Sequence, residues 1–220
     1  TARPGTTWHL RGRLQASYRD LKALVLQPDG QFLEIMPDLD GDRLSVAVPV
    51  GQAPGPLDVQ LVGTGPDGPG KLVQLRVEVG GPPPRSYTTR LAADESGLQT
   101  ADQAAAHALV LVNADRALHG LPALQRDAEL ARVARDHSAD MRDHGFFGHA
   151  SPSTGLHTAR LEAARYRAVA SAENLAHNVS IAEAQAGLMH SLGHRRNLLD
   201  PDVTHLGIGV AGADEGGQRR

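Results

Sequence analysis

Hydrophobic and polar residues alternate in short runs through the first part of the chain, a pattern typical of strands with one buried face. The runs cover residues 8–14, 21–26, 31–36, 43–50, 57–62 and 72–79. Turn signals rich in Pro, Asp and Gly separate them, such as residues 28–30 and 40–42. Strands of this length and spacing predict an all-β, immunoglobulin-like antiparallel sandwich over residues 1–80.

After Thr100 the hydrophobic period becomes helical. We expect one helix up to about Leu118, a second from its N-cap Asp127 to Gly145, and two more over residues 156–166 and 180–192. The last apolar run, residues 206–210, contains alternating Gly and predicts a buried strand that other backbone approaches closely. Residues 81–100, which begin with Gly and three Pro, are predicted to be a linker, so that residues 101–220 form a second, α+β domain.

Composition supports this division and excludes several classes of protein. Eleven of the 14 Pro lie at or before Pro84, and ten of the eleven His lie at or after His107. A formal net charge of -3 gives no general electrostatic reason to bind nucleic acid. No apolar run is long enough for a transmembrane helix. With no Cys, the chain has neither disulfides nor a cysteine nucleophile.

Three polar stretches carry the candidate chemistry: residues 145–152 with His149, residues 172–176 with Glu173, and residues 191–197 with His194. A carboxylate among small apolar residues needs a partner, and an imidazole is suitable. A lone His in a loop is nevertheless more often an ordinary surface residue. His137 falls on the apolar face of the second helix, which predicts a hydrogen-bonded core histidine.

The order of these residues resembles the CAP superfamily of cysteine-rich secretory proteins, antigen 5 and pathogenesis-related 1 proteins, in its cysteine-free bacterial form. The resemblance covers about residues 104–211. It rests on Asn113, Arg116, Gly120, Leu124, Leu130, Ala134, His137, Ser138, Met141, Phe147, His149, Ser151, Pro152, Gly155, Arg160, Tyr166, Glu173, Asn174, Leu175, Ala176, Ser191, Gly193, His194, Arg195, Asn197, Thr204, Gly207 and Gly209.

This resemblance implies an α-β-α sandwich with a central cleft that holds zinc or another divalent cation in some members. His149, Glu173 and His194 match the family's metal-binding residues and are also the candidate catalytic residues. Ser191 falls near the position of a second acidic ligand. Phe147, Ser151, Asn174 and Ser191 are expected to contact a ligand. The chain ends at Arg220, where the resemblance predicts another strand, so the sheet could lack its last strand.

These observations predict a secreted, periplasmic or cell-surface protein whose cleft binds a metal, lipid or peptide. Because Thr1 is not an initiator Met, we expect a signal segment to have been removed or left out. The β-domain could bind envelope components. Enzymatic activity stays open. The first alternative is a metal-assisted or serine-type hydrolase of envelope peptides or peptidoglycan, and the second is a structural adhesion module with a vestigial site.

Overall fold

The computed structural model describes residues 1–65, 68–84 and 95–212. By their internal contacts the residues divide into two compact units. The first is Thr1–Arg90 with the short segment Ser191–Gly193, and the second is Leu91–His190 with His194–Arg220. Half of the linker predicted over residues 81–100, namely residues 85–94, lies outside the described residues, and the domain boundaries stay predictions.

The described part of the first unit consists of antiparallel strands in two sheets. One sheet has the order β1-β5-β4 and the other the order β3-β2-β6-β7. The strands are β1 (Thr7–Arg13), β2 (Arg19–Leu26), β3 (Phe32–Ile35), β4 (Asp38–Asp40), β5 (Arg43–Pro49), β6 (Gly55–Gly65) and β7 (Gly68–Val79). The six predicted runs all form strands. The immunoglobulin-like topology stays a prediction.

Alternating apolar side chains of both sheets form one buried cluster. In β5, Leu44, Val46 and Val48 are buried while the residues between them are exposed or half-buried. Strand β4 was not predicted, because its three residues are all exposed and carry no apolar alternation. It pairs with β5 across the tight turn at Gly41, whose φ of 62° suits glycine. The Asp residues of this region thus belong to a hairpin, whose turn lies at the predicted turn signal of residues 40–42.

The segment Ser191–Gly193, which groups with the first unit, forms hydrogen bonds with a buried amide side chain of β6. Gln60 of β6 is 1% exposed. Its Nε2 donates to Ser191 Oγ at 3.0 Å, and its Oε1 accepts from the Gly193 amide at 2.8 Å. Both polar ends of this buried side chain are therefore satisfied, as burial requires.

The second unit contains helices and one short sheet. Its elements are α1 (Ala101–Leu118), β8 (Gln125–Arg126), α2 (Ala128–His144), α3 (His157–Ala163), α4 (Ile181–His190), α5 (Leu192–Leu198, whose first two residues group with the first unit) and β9 (His205–Leu206). Strands β8 and β9 pair in parallel. The α-β-α layering stays a prediction. No helix in the described ranges has the length and apolar character needed to cross a bilayer.

Local signals place the ends of α2 correctly. Asp127 Oδ1 accepts hydrogen bonds from the amides of Glu129 and Leu130, both at 2.9 Å, so Asp127 is the N-cap. Gly145 ends the helix in the left-handed conformation with φ of 65°. Each end depends on residues within one turn, which is why the sequence predicts them.

Two predictions about the C-terminal segments were wrong. The helix expected to run to Leu192 ends at His190, and α5 follows it directly, continuing through Gly193 and His194. Leu192 and Leu198 are both buried, so packing holds α5 despite its glycine. The strand expected over residues 206–210 is limited to His205–Leu206.

The two glycines after β9 lie against the backbone of α2. A Cβ atom at Gly207 would overlap Leu130 and Ala131, and one at Gly209 would overlap Ala134 and Arg135. The close approach of backbone that the alternating glycines predict is therefore confirmed. Ser138 Oγ donates to the Gly209 carbonyl at 3.1 Å and fastens this segment to the helix.

A buried arginine organises the loops around the core of the second unit. Arg116 is 1% exposed, and its guanidinium donates to the carbonyls of Pro122, Leu198 and Asp200 at 2.8 to 2.9 Å. The apolar cluster nearby contains Val112, Leu124 and Leu198. Burial lowers the pKa of Arg116 from its ordinary value, against the opposing effect of Asp200.

Candidate functional site

The loop that carries His149 is attached to α2 by a second histidine. His137 is 2% exposed, and its Nε2 donates to the carbonyl of Gly148 at 3.1 Å. Burial lowers the pKa of His137, with a smaller contribution from Arg160, so the ring is neutral at pH 7. The predicted core histidine is therefore confirmed, and it positions the residue next to His149.

His149 and Glu173 are brought together from residues 24 positions apart. His149 Nδ1 donates to Glu173 Oε1 at 2.8 Å, and the two side chains are only 18% and 16% exposed. Because the carboxylate accepts from Nδ1, the lone pair of the neutral ring lies on Nε2. No partner for Nε2 is found within the described part of the chain.

Arg160 of α3 completes this cluster, although sequence reasoning did not include it among the site residues. Its side chain is 6% exposed, and its Nη2 donates to Glu173 Oε2 at 2.5 Å. Its Nη1 donates to the carbonyls of His149 and Gly155 at 3.2 and 2.5 Å. The signal that could have found it is its place among the residues that carry the family resemblance.

Two opposing effects set the charge of Glu173. Burial raises the pKa of its carboxyl, whereas hydrogen bonds from His149 and Arg160 lower it, and the net pKa is below the ordinary value. Glu173 is therefore ionised at neutral pH and acts as an acceptor. A carboxylate in this state fixes the tautomer and orientation of His149, but it cannot serve as a general acid.

Asn174 connects the Glu173 segment to α5. Its Nδ2 donates to the backbone carbonyl of His194 at 3.0 Å, and its Oδ1 accepts from Asn197 Nδ2 at 2.9 Å. The contact to His194 is thus made through the backbone. Both amide ends of Asn174 are engaged within the protein, which makes it a positioning residue for this region.

Among the described residues the structure shows no set of three side chains that supports the predicted metal site. Across the described ranges, no group of three or more His, Asp or Glu side chains is arranged to hold a metal ion. Both carboxylate oxygens of Glu173 already accept hydrogen bonds from His149 and Arg160. Zinc binding by His149, Glu173 and His194 stays a prediction.

Ser151 and Ser191, which are predicted to contact a ligand, form hydrogen bonds within the protein, and the ligand contact stays a prediction. Ser151 is 6% exposed, and its Oγ donates to Asp140 Oδ2 at 2.6 Å while accepting from the amides of Ser153 and Thr154. It is the centre of the turn that follows His149, and its hydrogen bond lowers the pKa of Asp140. Ser191 lies against Gln60 in the first unit.

Phe147 is the exposed aromatic residue of the loop. Its side chain is 54% exposed, and its ring centroid lies 6.0 Å from that of His177 at an interplanar angle of 38°. The neighbouring Phe146 instead packs against His137, also with 6.0 Å between the centroids. One Phe therefore anchors the loop and the other presents an apolar surface two residues before His149.

The model of the family described as "CAP: Cysteine-rich secretory protein family" matches residues 109–218, half of the chain. The chain belongs to the CAP family. This confirms the resemblance seen in the sequence. The CAP region contains His149, Glu173 and Arg160, and the absence of Cys is a property of the whole chain.

Two curated relatives of the CAP region come from Bacillus subtilis. The uncharacterized membrane protein YlbC is 42% identical over 103 residues, which are 46% of this chain and 30% of that protein. The uncharacterized protein YkwD is 37% identical over 100 residues, 45% of this chain and 39% of that protein. The chain thus matches well under half of the length of either relative.

Two solved structures resemble the chain more broadly. An extracellular protein of Bacillus anthracis with an SCP domain is 26% identical, with a TM-score of 0.49, over 80% of this chain and 63% of that one. A cysteine-rich secretory protein of Staphylococcus aureus is 16% identical, with a TM-score of 0.42, over 85% of this chain and 62% of that one.

Proposed function

We propose that this chain is a secreted or cell-envelope CAP protein that binds a peptide at His149. The observation that supports the proposal most directly is the hydrogen bond of 2.8 Å between His149 Nδ1 and Glu173 Oε1 in a largely buried pair. It holds the ring in one tautomer, so that Nε2 can accept a hydrogen bond from a ligand N–H.

Phe147 favours a peptide over a lipid or a simple ion. A peptide offers amide donors to His149 Nε2 and an apolar side chain to the exposed ring of Phe147, which is two residues away in the same loop. Ligand sites in proteins commonly combine apolar contact with a few oriented polar groups. Because Arg160 and Glu173 hold His149 in place, little ordering entropy opposes binding.

Hydrolysis is the less favoured function. A serine-type mechanism needs a hydroxyl that donates to the imidazole. The Ser151 hydroxyl donates to Asp140 instead, at 2.6 Å. Mass spectrometry of the test peptides after incubation with the protein distinguishes cleavage from binding alone. Cleavage that is abolished in His149→Ala would contradict the binding proposal and support a hydrolase.

The experiment is a fluorescence anisotropy titration of dye-labelled tetrapeptides, with and without a central Phe or Leu. We expect His149→Gln and Phe147→Ala to weaken binding by about tenfold each, the usual effect of losing a hydrogen bond or an apolar contact. The matched control is His119→Gln, at an exposed histidine at the end of α1. Unchanged affinity in both site variants would refute the proposal.

Zinc is tested separately by calorimetric titration of the intact chain with zinc alone. His149 would be the ligand most readily available, with Glu173 orienting it through Nδ1. Equal binding by the wild-type chain and His149→Ala, or no binding by either, would contradict the predicted metal site.

A further inference from the structure

A second polar site is formed by the outward face of the sheet β1-β5-β4, far along the sequence from His149. Two rows of residues cross the three strands in register. One row consists of Arg13, Arg43 and Asp40, and the next row on the same face consists of Arg11, Ser45 and Asp38. Residues directly opposite each other in a ladder point to the same face. The face therefore has Arg11 and Arg13 on the β1 side, Asp38 and Asp40 on the β4 side, and Arg43 and Ser45 of β5 between them.

These charges are exposed and unpaired. Arg11, Arg13, Arg43, Asp38 and Asp40 are all solvent-exposed, and within the described ranges none of them forms an ion pair or a side-chain hydrogen bond. Arg13 lies directly opposite Arg43. Like charges in this position destabilise a sheet, whereas Asp40 on the other side of Arg43 offsets part of that repulsion.

The same residues line a groove. Its volume is about 560 Å³, and its lining consists of Arg11, Gly12, Arg13, Asp38, Leu39, Asp40, Arg43, Leu44 and Ser45. Gly12 has no side chain, and no atom lies within 4 Å of the position a Cβ would take. Gly12, Leu44 and Leu39 form the row between the two charged rows, and residues of this row alternate to the other face of the sheet.

The separation of the two charged borders limits what could bind. Neighbouring strands lie about 4.8 Å apart, so β1 and β4, with β5 between them, are about 10 Å apart. An extended peptide advances about 3.4 Å per residue, so roughly three residues span this distance. Guanidinium groups bind carboxylates in a bidentate manner, and aspartates accept hydrogen bonds from an ammonium group.

We propose that this groove binds a short zwitterionic peptide, with its carboxylate at Arg11 and Arg13 and its ammonium group at Asp38 and Asp40. A polyanion fits less well because the two aspartates would repel it, and a polycation fits less well because of the arginines. The site is independent of the function proposed for His149, since it consists entirely of residues in the first unit.

The experiment titrates the full chain with the tripeptide Ala-Ala-Ala and with its N-acetylated and C-amidated forms, followed by the amide NMR signals of Gly12 and Ser45. We expect the free tripeptide to shift both signals and each blocked form to bind about fivefold more weakly, because each loses one charge-assisted contact. Added salt should weaken binding as well, since the groove is exposed.

Two conservative variants assign each end of the ligand. In Arg11→Gln, which leaves Arg13 in place, the affinity should depend less on C-terminal amidation, and in Asp38→Asn, which leaves Asp40 in place, it should depend less on N-acetylation. Arg19→Gln in β2 and Asp42→Asn in the β4–β5 turn are matched controls, because both residues are exposed and neither lines the groove. All four substitutions are at exposed positions, so the fold should tolerate them.

Three results would overturn the proposal. One is the absence of any shift at Gly12 and Ser45 up to about 10 mM tripeptide, a concentration that would detect even a very weak complex. Another is equal binding of the free and blocked tripeptides. The third is binding of polyphosphate at these signals without binding of the tripeptide, which would make the groove a site for polyanions.

Discussion

Replacing Arg160 with Met removes the guanidinium that joins three parts of the candidate site while keeping most of the aliphatic chain. The side chain is 6% exposed and bonds Glu173 and the carbonyls of His149 and Gly155. Its loss would leave the Glu173 carboxylate, 16% exposed, with His149 as its remaining partner in this cluster. The substitution therefore tests whether a buried ion pair holds the loop of His149.

The expected loss of stability is about 3–5 kcal/mol, the usual cost of removing one partner from a buried ion pair. That is a large share of the roughly 5–15 kcal/mol that stabilises a typical domain. Urea unfolding followed by the helical circular dichroism signal measures it, because Arg160 lies in α3 among the helices of the second unit.

The matched control is Arg132→Met on α2. Arg132 pairs with two carboxylates, Glu129 at 2.7 Å and Asp136 at 2.9 Å, but its side chain is 45% exposed. Solvent screens such pairs, so the control should lose far less stability. Adding Glu173→Gln to Arg160→Met should restore part of the loss, since it removes the buried charge left without its partner. If Arg160→Met costs no more than Arg132→Met, the reasoning about the buried pair is wrong.

Two further predictions concern acid stability and backbone packing. Burial raises the pKa of Glu173, but its hydrogen bonds lower the net pKa below 4.5, so its ionised form stabilises the fold above the ordinary carboxyl pKa. This contribution is lost as pH falls through the lowered pKa. Urea midpoints measured from neutral to acid pH should therefore fall less steeply in Glu173→Gln than in the wild-type chain. Parallel plots of midpoint against pH for the two proteins would contradict the lowered pKa of Glu173. Gly207→Ala should destabilise the second unit by about 1–3 kcal/mol through overpacking against Leu130. The control is Gly187→Ala in α4, where a Cβ meets open space; it should stabilise the helix by about 0.5–1 kcal/mol. Equal effects of Gly207→Ala and Gly187→Ala in the same urea titration would refute the close packing of Gly207 against α2.

Much of the candidate site could be anticipated from the sequence because parts of it are local. His149 stands in a loop that begins where a glycine ends α2, and Glu173 lies among small apolar residues where it requires a partner. The resemblance to CAP proteins placed both residues in one site, and the hydrogen bond between them agrees with that placement. The family itself is confirmed over residues 109–218.

The roles of the other candidates depended on contacts that no local pattern encodes. Ser151 is predicted to contact a ligand, and the structure shows that its hydroxyl donates to Asp140, eleven residues earlier on α2. Asn174 is also predicted to contact a ligand, and both ends of its amide bond α5. Neither hydrogen-bond partner tests the ligand contact. A polar side chain next to a candidate histidine is equally compatible with a ligand and with a turn, and only the tertiary structure shows its partner within the protein.

By itself the sequence determined the elements whose signals lie within a few residues: the alternating strands, the Asp127 cap and the Gly145 stop. Tertiary structure alone decided that Arg160 is buried against Glu173 and that α5 continues through Gly193. The physical reason is that caps and turns satisfy backbone groups nearby in the chain, whereas the burial of a charge or of a glycine-containing helix depends on partners that folding brings from distant positions.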